Sequence, residues 1–459
     1  MVLAAGKGTR MRSRRPKVLH ELLGLPLLEY PLRVLEQSGA ERVVVVIGSE
    51  AEQVRRRFAR RTIGENSTVE FALQVPQQGT GDAVRVGLLA MAQWTAAQKG
   101  MSQSVVILNG DLPLLSRATI VEMLAAHRAA AAALTLLTVT LDVPAGYGRI
   151  IRDAAGEVAG VVEDADATPA ERAVREVNGG VYIAEISALH AALTTWIREM
   201  PANKQGEIYL PPVIGPMRKQ GGKVIAFALP RGRETELQQV NDRVELARAT
   251  HLRRLEIIEQ HQRSGVTVVD PLTTTIEEDV RIGADSVVHP CSVIRAGVEI
   301  GVGCEVGPFA HLRSGTVLEE GAEVGNFTEV KNSRLGRGAK AKHLSYLGDG
   351  RVGAGANIGA GTIFANYDGK QKAETRVGER AFIGSGTILV APVSIGDDAR
   401  TGAGAVVLSG RDVAAGATVV GVPARPVPAR AAAVVSQTLD PQTRVGSAPT
   451  EGQSEGKLG

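Results

Sequence analysis

The stretch IEEDVR IGADSV VHPCSV IRAGVE IGVGCE VGPFAH LRSGTV LEEGAE VGNFTE, residues 276–329, divides without a gap into nine six-residue units. Each opens on an aliphatic residue, a small or acidic residue usually comes second, and a small one often stands fifth. A second block of eight units, VGERAF IGSGTI LVAPVS IGDDAR TGAGAV VLSGRD VAAGAT VVGVPA, fills 377–424. Period six fits neither a 3.6-residue helix nor the two-residue alternation of an ordinary strand. It fits a hexapeptide β-helix, in which short strands form flat walls and small residues make the corners. One aliphatic residue per unit points inward and stacks on its counterpart in the next coil, so the core is a ladder.

Working outward, the composition agrees. Glycine makes up 53 of 459 residues, against roughly 32 at an average share of about 7%. About half of them fall between 276 and 424, where corners demand small residues and positive φ. Aromatic residues are only 3%, as a thin prism core requires. The length predicts two or three domains. A net charge of +3, from 52 basic and 49 acidic residues, gives no general argument for nucleic-acid or membrane binding. Cys291 and Cys304 have no motif spacing and read as thiols in a reducing cytosol. The sequence has no apolar run of transmembrane length and no secretory h-region. Met1 stands just before a strand that leads into a loop, so the first strand is expected to be clipped by the choice of start.

Residues 1–240 alternate apolar runs with amphipathic stretches, the pattern of a mostly parallel, Rossmann-like sheet covered by helices. Strands are predicted at 2–5, 42–48, 104–110, 134–140 and 222–229, and helices near 26–38, 80–98 and 117–131. Residues 241–263 lack Gly and Pro and read as a long linking helix. The β-helix domain then spans 264–424. The Pro, Ala, Ser and Gly-rich remainder, 425–459, is expected to be a disordered tail.

The loop Leu3-Ala4-Ala5-Gly6-Lys7-Gly8-Thr9-Arg10-Met11 follows the first strand and precedes Pro16-Lys17. Its glycines let backbone N–H groups approach phosphates, and Lys7, Arg10 and Lys17 can neutralise them. It is neither a Walker loop, which needs a glycine where Met1 stands, nor a dinucleotide fingerprint, which needs one at Met11. Asp111 ends a strand at the sheet's carboxyl edge, where α/β folds bind ligands. A carboxylate there suits Mg²⁺, which takes few protein groups. In the C-terminal half, the repeat blocks are separated by an interruption containing KHLSY (342–346) and FANYDGKQK (364–372), and such interruptions project loops. His343 lies there among cations, Tyr346 and Asn357. By contrast His20, His127, His190, His251 and His261 fall in helical or turn stretches, and His289 and His311 in regular repeats. A histidine in such a setting is a natural general base.

The ordered set LAAGKGTRM…PK, Gln74…Gln77-Gln78-Gly79-Thr80-Gly81, Asn109-Gly110-Asp111, Gly146-Tyr147-Gly148-Arg149-Ile150, Val162-Glu163-Asp164 and Val177-Asn178-Gly179-Gly180 resembles that of the sugar-1-phosphate nucleotidyltransferases. Over residues 1 to about 424 the chain resembles the bacterial bifunctional UDP-N-acetylglucosamine pyrophosphorylase/glucosamine-1-phosphate N-acetyltransferases. That resemblance implies a left-handed parallel β-helix, assembly as a homotrimer and a cytoplasmic setting. It also implies UTP, glucosamine 1-phosphate and acetyl-CoA as substrates, with Mg²⁺ as cofactor. Leu3, Ala4, Ala5, Gly6 and Lys7 would hold UTP, Gln74, Gly79 and Thr80 would read its base, and Lys17 would stabilise the α-phosphate. Asp111 and Asn241 would hold the metal, and Gly148, Glu163 and Asn178 the N-acetylglucosamine. His343 would be the acetyl-transfer base, with Glu329 a candidate to orient it. Arg313, Lys331, Tyr346 and Asn357 would bind glucosamine 1-phosphate. Asn366, Tyr367, Lys372, Ser385 and Ala403 would lie along substrate and acetyl-CoA. Departures from the family pattern are Asn109, where an aromatic is usual, and Gly179 in place of Thr. A basic residue for the coenzyme phosphate is missing near Gly421, where Arg425 or Arg430 can substitute. Two other readings stay open from the residues alone: a single nucleotidyltransferase whose β-helix only oligomerises or regulates, and a non-catalytic repeat subunit.

Overall fold

A computed structural model of the chain describes residues 1–64, 67–96, 103–199 and 207–427; the expected tail therefore lies, from 428 on, outside the described residues. The N-terminal half is built on a nine-stranded mixed sheet. Strands Val2–Ala4, Val44–Ile47, Glu70–Leu73 and Ser104–Asn109 run parallel. Glu176–Glu185 then reverses the direction beside Ser104–Asn109 and carries Leu134–Thr140 and Arg149–Arg152 antiparallel to itself. The all-buried runs Val44–Ile47 and Leu134–Val139 explain why the central strands read as unbroken apolar segments. Leu32, Ile120 and Met123 pack on one face of the sheet; Val84, Leu189 and Leu193 pack on the other.

The first strand pairs through only Val2 and Leu3 with Leu108 and Asn109. At its start a cavity of about 1070 Å³ opens, lined by Met1, Val44, Val105, Val106 and Ile120 among others. It lies at the amino-terminal edge of the parallel strands. The carboxyl ends of the four parallel strands instead converge on Gly6, Gly48, Gln74 and Asp111.

The linking helix is Arg243–Arg263, and Asp242 starts it by accepting from the backbone N–H groups of Val244 and Glu245, both at 2.8 Å. Its Ala249, Ile257 and Ile258 share one buried cluster with Leu22, Leu27 and Tyr30 of the first domain and with the first β-helix coils. Arg253 pairs with Glu278, and Arg33 forks onto Asp279 at 2.7 and 2.8 Å, so the helix and the β-helix are fastened together.

From Thr267 on, the chain winds into three walls of ten, eight and seven strands, parallel except for the last strand, Arg425–Pro426. Glu305 pairs with Glu323 and His311 with Glu329, eighteen residues on, so one coil is three hexads. At the break the step shortens to seventeen, as in Glu323 with Lys340, and then lengthens to twenty-five, Asn357 with Phe382. The surplus is extruded as the 366–373 loop. Inside, Ile276, Ile294, Leu312, Val330, Leu347, Phe364, Leu389 and Val407 form one unbroken buried column. Each member contributes roughly 2 kcal/mol of apolar burial. Phe364 is the one aromatic rung, and its ring fits because Gly350 has no Cβ: one there would come within 2.5 Å of it. The chain also does not end at the last predicted hexad. Arg425 and Pro426 fold back antiparallel on Val420 and Val419.

Truncating the aromatic rung, Phe364→Ala, should cost the β-helix about 3–5 kcal/mol, read as a lowered midpoint in urea denaturation followed by circular dichroism. A loss under about 1 kcal/mol would mean that the ladder collapses around the gap and does not depend on this side chain.

Candidate active sites

In the first site, Gly6 stands in open space at the end of the first strand, with nothing within 4 Å of where a Cβ would lie. Gly8, at φ +59°, must be glycine for a second reason: a Cβ there would meet that of Lys17 at 2.7 Å. The chain thus folds Lys17 back under its own loop. Lys17 Nζ donates to Asp111 Oδ2 at 2.5 Å and to Asn241 Oδ1 at 3.1 Å. Asp111 is buried, and its second oxygen, Oδ1, has no hydrogen-bond partner. A buried carboxylate with one orphaned oxygen, facing an amide oxygen across a bound ammonium, is a donor set that fits a hard divalent cation. Asp111 and Asn241, far apart in sequence, therefore do come together.

The segment from Gln74 to Thr80 is held by a different device. Gln74 is buried, and its amide nitrogen donates to Gly79 O (3.0 Å) and Asp82 Oδ2 (2.9 Å). Gly79, at φ +99°, packs against Ile208, whose carbonyl would be 2.6 Å from a Cβ. Thr80 Oγ1 accepts from Leu210 N. Gln77 reaches back over Gly48, beside Ala5. Its QQGTG neighbourhood was its only signal.

Gly148, Glu163 and Asn178 also converge. Asn178 N donates to Gly148 O at 2.8 Å, and the Glu163 carboxylate lies over Gly148, 3.3 Å from a hypothetical Cβ. Burial, then the charges of Asp166 and Asp164, push the Glu163 carboxyl above its ordinary range. Asn178 donates to Tyr182 Oη at 2.6 Å. The departures from pattern have room-based reasons: a side chain at Gly179 would meet Leu237 at 2.7 Å, and Asn109 Nδ2 lies 3.0 Å from where a Cβ on Gly180 would be.

The second site lies at the break in the repeats. On one wall, Arg313 Nη1 donates to Glu329 Oε1 at 2.7 Å, Glu329 pairs in register with Tyr346, and Lys331 with Gly348. The Lys372 ammonium beside Lys331 holds the latter below the usual lysine range, so the extruded loop brings two cations side by side. Asp349 accepts from Asn332 Nδ2 at 2.6 Å and from Asn366 Nδ2. Gly348 keeps Tyr346 Oη and Asn366 close; its Cβ would be 2.6 and 2.8 Å from them. Tyr367 closes the loop onto Gly369 O.

Round the corner, His343 shares a wall with Asn357. Its backbone carbonyl accepts from Gly361 N, Ala360 O from Gly386 N, and Ser385 O from Gly404 N, next to Ala403. His343, Ser385 and Ala403 are thus set in one file along an exposed corner. Glu329 is engaged with Arg313 on the neighbouring wall, while His343 Nδ1 faces Asn326 Oδ1 at 3.0 Å. Asn326, Asn332 and Asp349 were not singled out by the sequence, because each acts through a residue one coil away.

Residues 1–173 match the MobA-like NTP transferase domain, 273–307 the hexapeptide repeat of succinyl-transferase, and 374–409 the bacterial transferase hexapeptide family. The chain is 43% identical over 454 residues to the bifunctional protein GlmU of Thermobifida fusca, covering 92% of this chain and 91% of that one. It is 44% identical over 427 residues to that of Anaeromyxobacter dehalogenans, covering 86% and 84%. The Mycobacterium tuberculosis protein is 42% identical over 453 residues, covering 92% and 89%.

Asp111→Asn should weaken Mn²⁺ binding, followed by water proton relaxation, at least about tenfold, while Glu163→Gln leaves it unchanged. Equal binding by both variants would remove Asp111 from any metal site.

Proposed function

The chain belongs to the family of bifunctional GlmU proteins, and on that premise we propose how its residues divide the work. It is a two-step enzyme of UDP-N-acetylglucosamine synthesis: a glucosamine-1-phosphate N-acetyltransferase joined to a UDP-N-acetylglucosamine diphosphorylase. Residues 1–240 are the uridylyltransferase, 241–263 the linking helix and 264–424 the acetyltransferase, with Arg425–Pro426 paired onto its last coil.

In the acetyl transfer, the amine of glucosamine 1-phosphate attacks the thioester carbon of acetyl-CoA. The C–N bond forms and the C–S bond breaks. The proton lost by the nitrogen goes to His343 Nε2 and on to the departing thiolate. Arg313, Lys331 and Lys372 gather where a sugar phosphate needs cations, with Tyr346, Asn357, Asn366 and Tyr367 around the ring, and Glu329 and Asp349 hold those groups in place. Ser385 and Ala403 line the coenzyme's path up the corner. Arg425, folded back beside Val420, is well placed to meet its phosphate; Arg430 lies outside the described residues.

In the uridylyl transfer, a phosphate oxygen of N-acetylglucosamine 1-phosphate attacks the α-phosphorus of UTP in line, and pyrophosphate leaves. No nucleophilic side chain is needed. Leu3, Ala4, Ala5, Gly6 and Lys7 hold the nucleotide; Gln74, Gly79 and Thr80 form its base pocket; Gly148, Glu163 and Asn178 hold the sugar; Lys17 neutralises the α-phosphate. The family's nucleotidyl transfer uses a divalent cation. We take it to be Mg²⁺, held by Asp111 and Asn241, where it would supply charge neutralisation to phosphate oxygens. The single observation carrying this reading is the convergence of Lys17, Asp111 and Asn241 on one point.

The β-helix is an oligomerising element in such enzymes, and we propose a homotrimer. Cys291, Phe309, Phe327 and Leu344 repeat along one corner at φ 50–59°. Phe309 and Phe327 stack with centroids 5.1 Å apart, and Phe309, Phe327 and Leu344 are 49–61% exposed. An apolar file of this kind, next to His343, suits packing against a second copy. Among the described residues no helix is long and apolar enough to cross a membrane, and both cysteines are free thiols, which supports a cytoplasmic enzyme.

Two measurements test this. Asp111→Ala should lower pyrophosphate release about a thousandfold and spare thiol release, whereas His343→Ala should lower thiol release at least about a hundredfold and spare pyrophosphate release. Loss of both activities from either change would sink the two-site reading. Phe327→Asp should shift the mass in size-exclusion light scattering from trimer towards monomer; an unchanged trimer would exclude this corner as the interface.

A further inference from the structure

We propose that Asn326 is the positioning residue of His343: its side-chain oxygen fixes the imidazole as the Nδ1–H tautomer and leaves Nε2 as the free base. This rests on His343 being the acetyl-transfer base. An amide Oδ1 can only accept, so the 3.0 Å contact requires the imidazole nitrogen to donate. The remaining nitrogen then carries a lone pair and points to the open corner, His343 being exposed.

Three features of the fold hold that contact. Strand Glu323–Asn326 pairs with Lys340–His343 so that Asn326 and His343 are register partners, directly opposite on one wall. Between Val324 and Asn326, Gly325 allows an approach no other residue could: its Cβ would fall 1.9 Å from the Lys342 carbonyl. The Asn326 backbone carbonyl accepts from Leu344 N at 3.0 Å, fixing the turn just past the histidine. Glu329, which by sequence position is the other candidate, is committed to Arg313 at 2.7 Å on the adjoining wall.

The choice of a neutral partner has a chemical consequence. The charged groups on the two paired strands that carry Asn326 and His343 are Glu323, Lys340 and Lys342, and Glu323 pairs with both lysines at 2.9 and 2.5 Å. The following coil, Asn357 to Gly361, brings no charge. A carboxylate in place of Asn326 would favour imidazolium, which cannot accept the substrate's proton. An amide orients the ring through an accepting oxygen without placing a charge beside it.

The test is the pH profile of thiol release for the whole enzyme. Asn326→Ala should lower kcat about tenfold, the scale of one orienting hydrogen bond, with KM for glucosamine 1-phosphate little changed. Asn326→Asp keeps an acceptor, so its kcat above the acid limb should recover, while the limb itself moves to higher pH by about one unit. Pyrophosphate release by both variants should match wild type and reports that the chain is folded. Wild-type kcat in Asn326→Ala, or an unmoved limb in Asn326→Asp, overturns the proposal. So does a loss confined to KM. Thiol release surviving in His343→Ala would instead overturn the assignment of the base itself, so the two failures are distinguishable.

Discussion

The C-terminal half of this enzyme depends on one constraint: every wall strand must hydrogen-bond in register to the strand one coil away. With eighteen residues per coil, hexads align, and one buried aliphatic per strand falls on its counterpart. Corners must then turn at positive φ, which explains both the glycines and the unusual set of Asp, Asn, Cys, Phe, Leu and Arg residues in that conformation. Because the buried column cannot be broken, changes in coil length can only appear outside it. At the break, coils of seventeen residues and one of twenty-five keep Leu347, Phe364 and Leu389 stacked. The difference emerges as the Asn366–Lys372 loop.

The groups proposed for acetyl transfer follow from that geometry. Arg313 with Glu329, Asn326 with His343, and Asn332 with Asp349 are all neighbours sixteen or seventeen positions apart, on adjacent coils. A rigid wall presents such pairs at fixed spacing with little entropy left to lose. The site proposed for nucleotidyl transfer is assembled differently. Four parallel strands end at one edge, and Asp111 at one of those ends meets Asn241 from the beginning of the linking helix. The same helix is fastened to the first coils through Arg253 and Glu278, so the two halves share one stretch of rigid backbone.

How much of this could be read beforehand differs by element. The predicted strands at 104–110 and 134–140 and the helix at 117–131 fall within one or two residues of Ser104–Asn109, Leu134–Thr140 and Arg117–Ala129, because burial on both sides or a Ser116 cap marks them locally. The antiparallel strands Arg149–Arg152 and Val158–Val162 were not legible as strands, since Gly146, Gly148, Gly156 and Gly160 dilute any alternation. Lys17, Asp111 and His343 stood out by motif. Asn326 and Asp349 did not, being polar residues in a repeat whose inward positions alone carry the periodic signal.

The sequence by itself determined the coil, its core column, the helix-covered sheet and the kind of chemistry, because hydrophobic period and contiguous motifs are local properties of the chain. Only the tertiary structure decided which side chains meet. It gave Glu329 to Arg313 and Asn326 to His343, though both acids and amides stood within reach in the sequence. The physical reason is that partnership in a coil is set by wall and register. A residue three positions away round a corner faces another direction, while one seventeen positions away lies alongside.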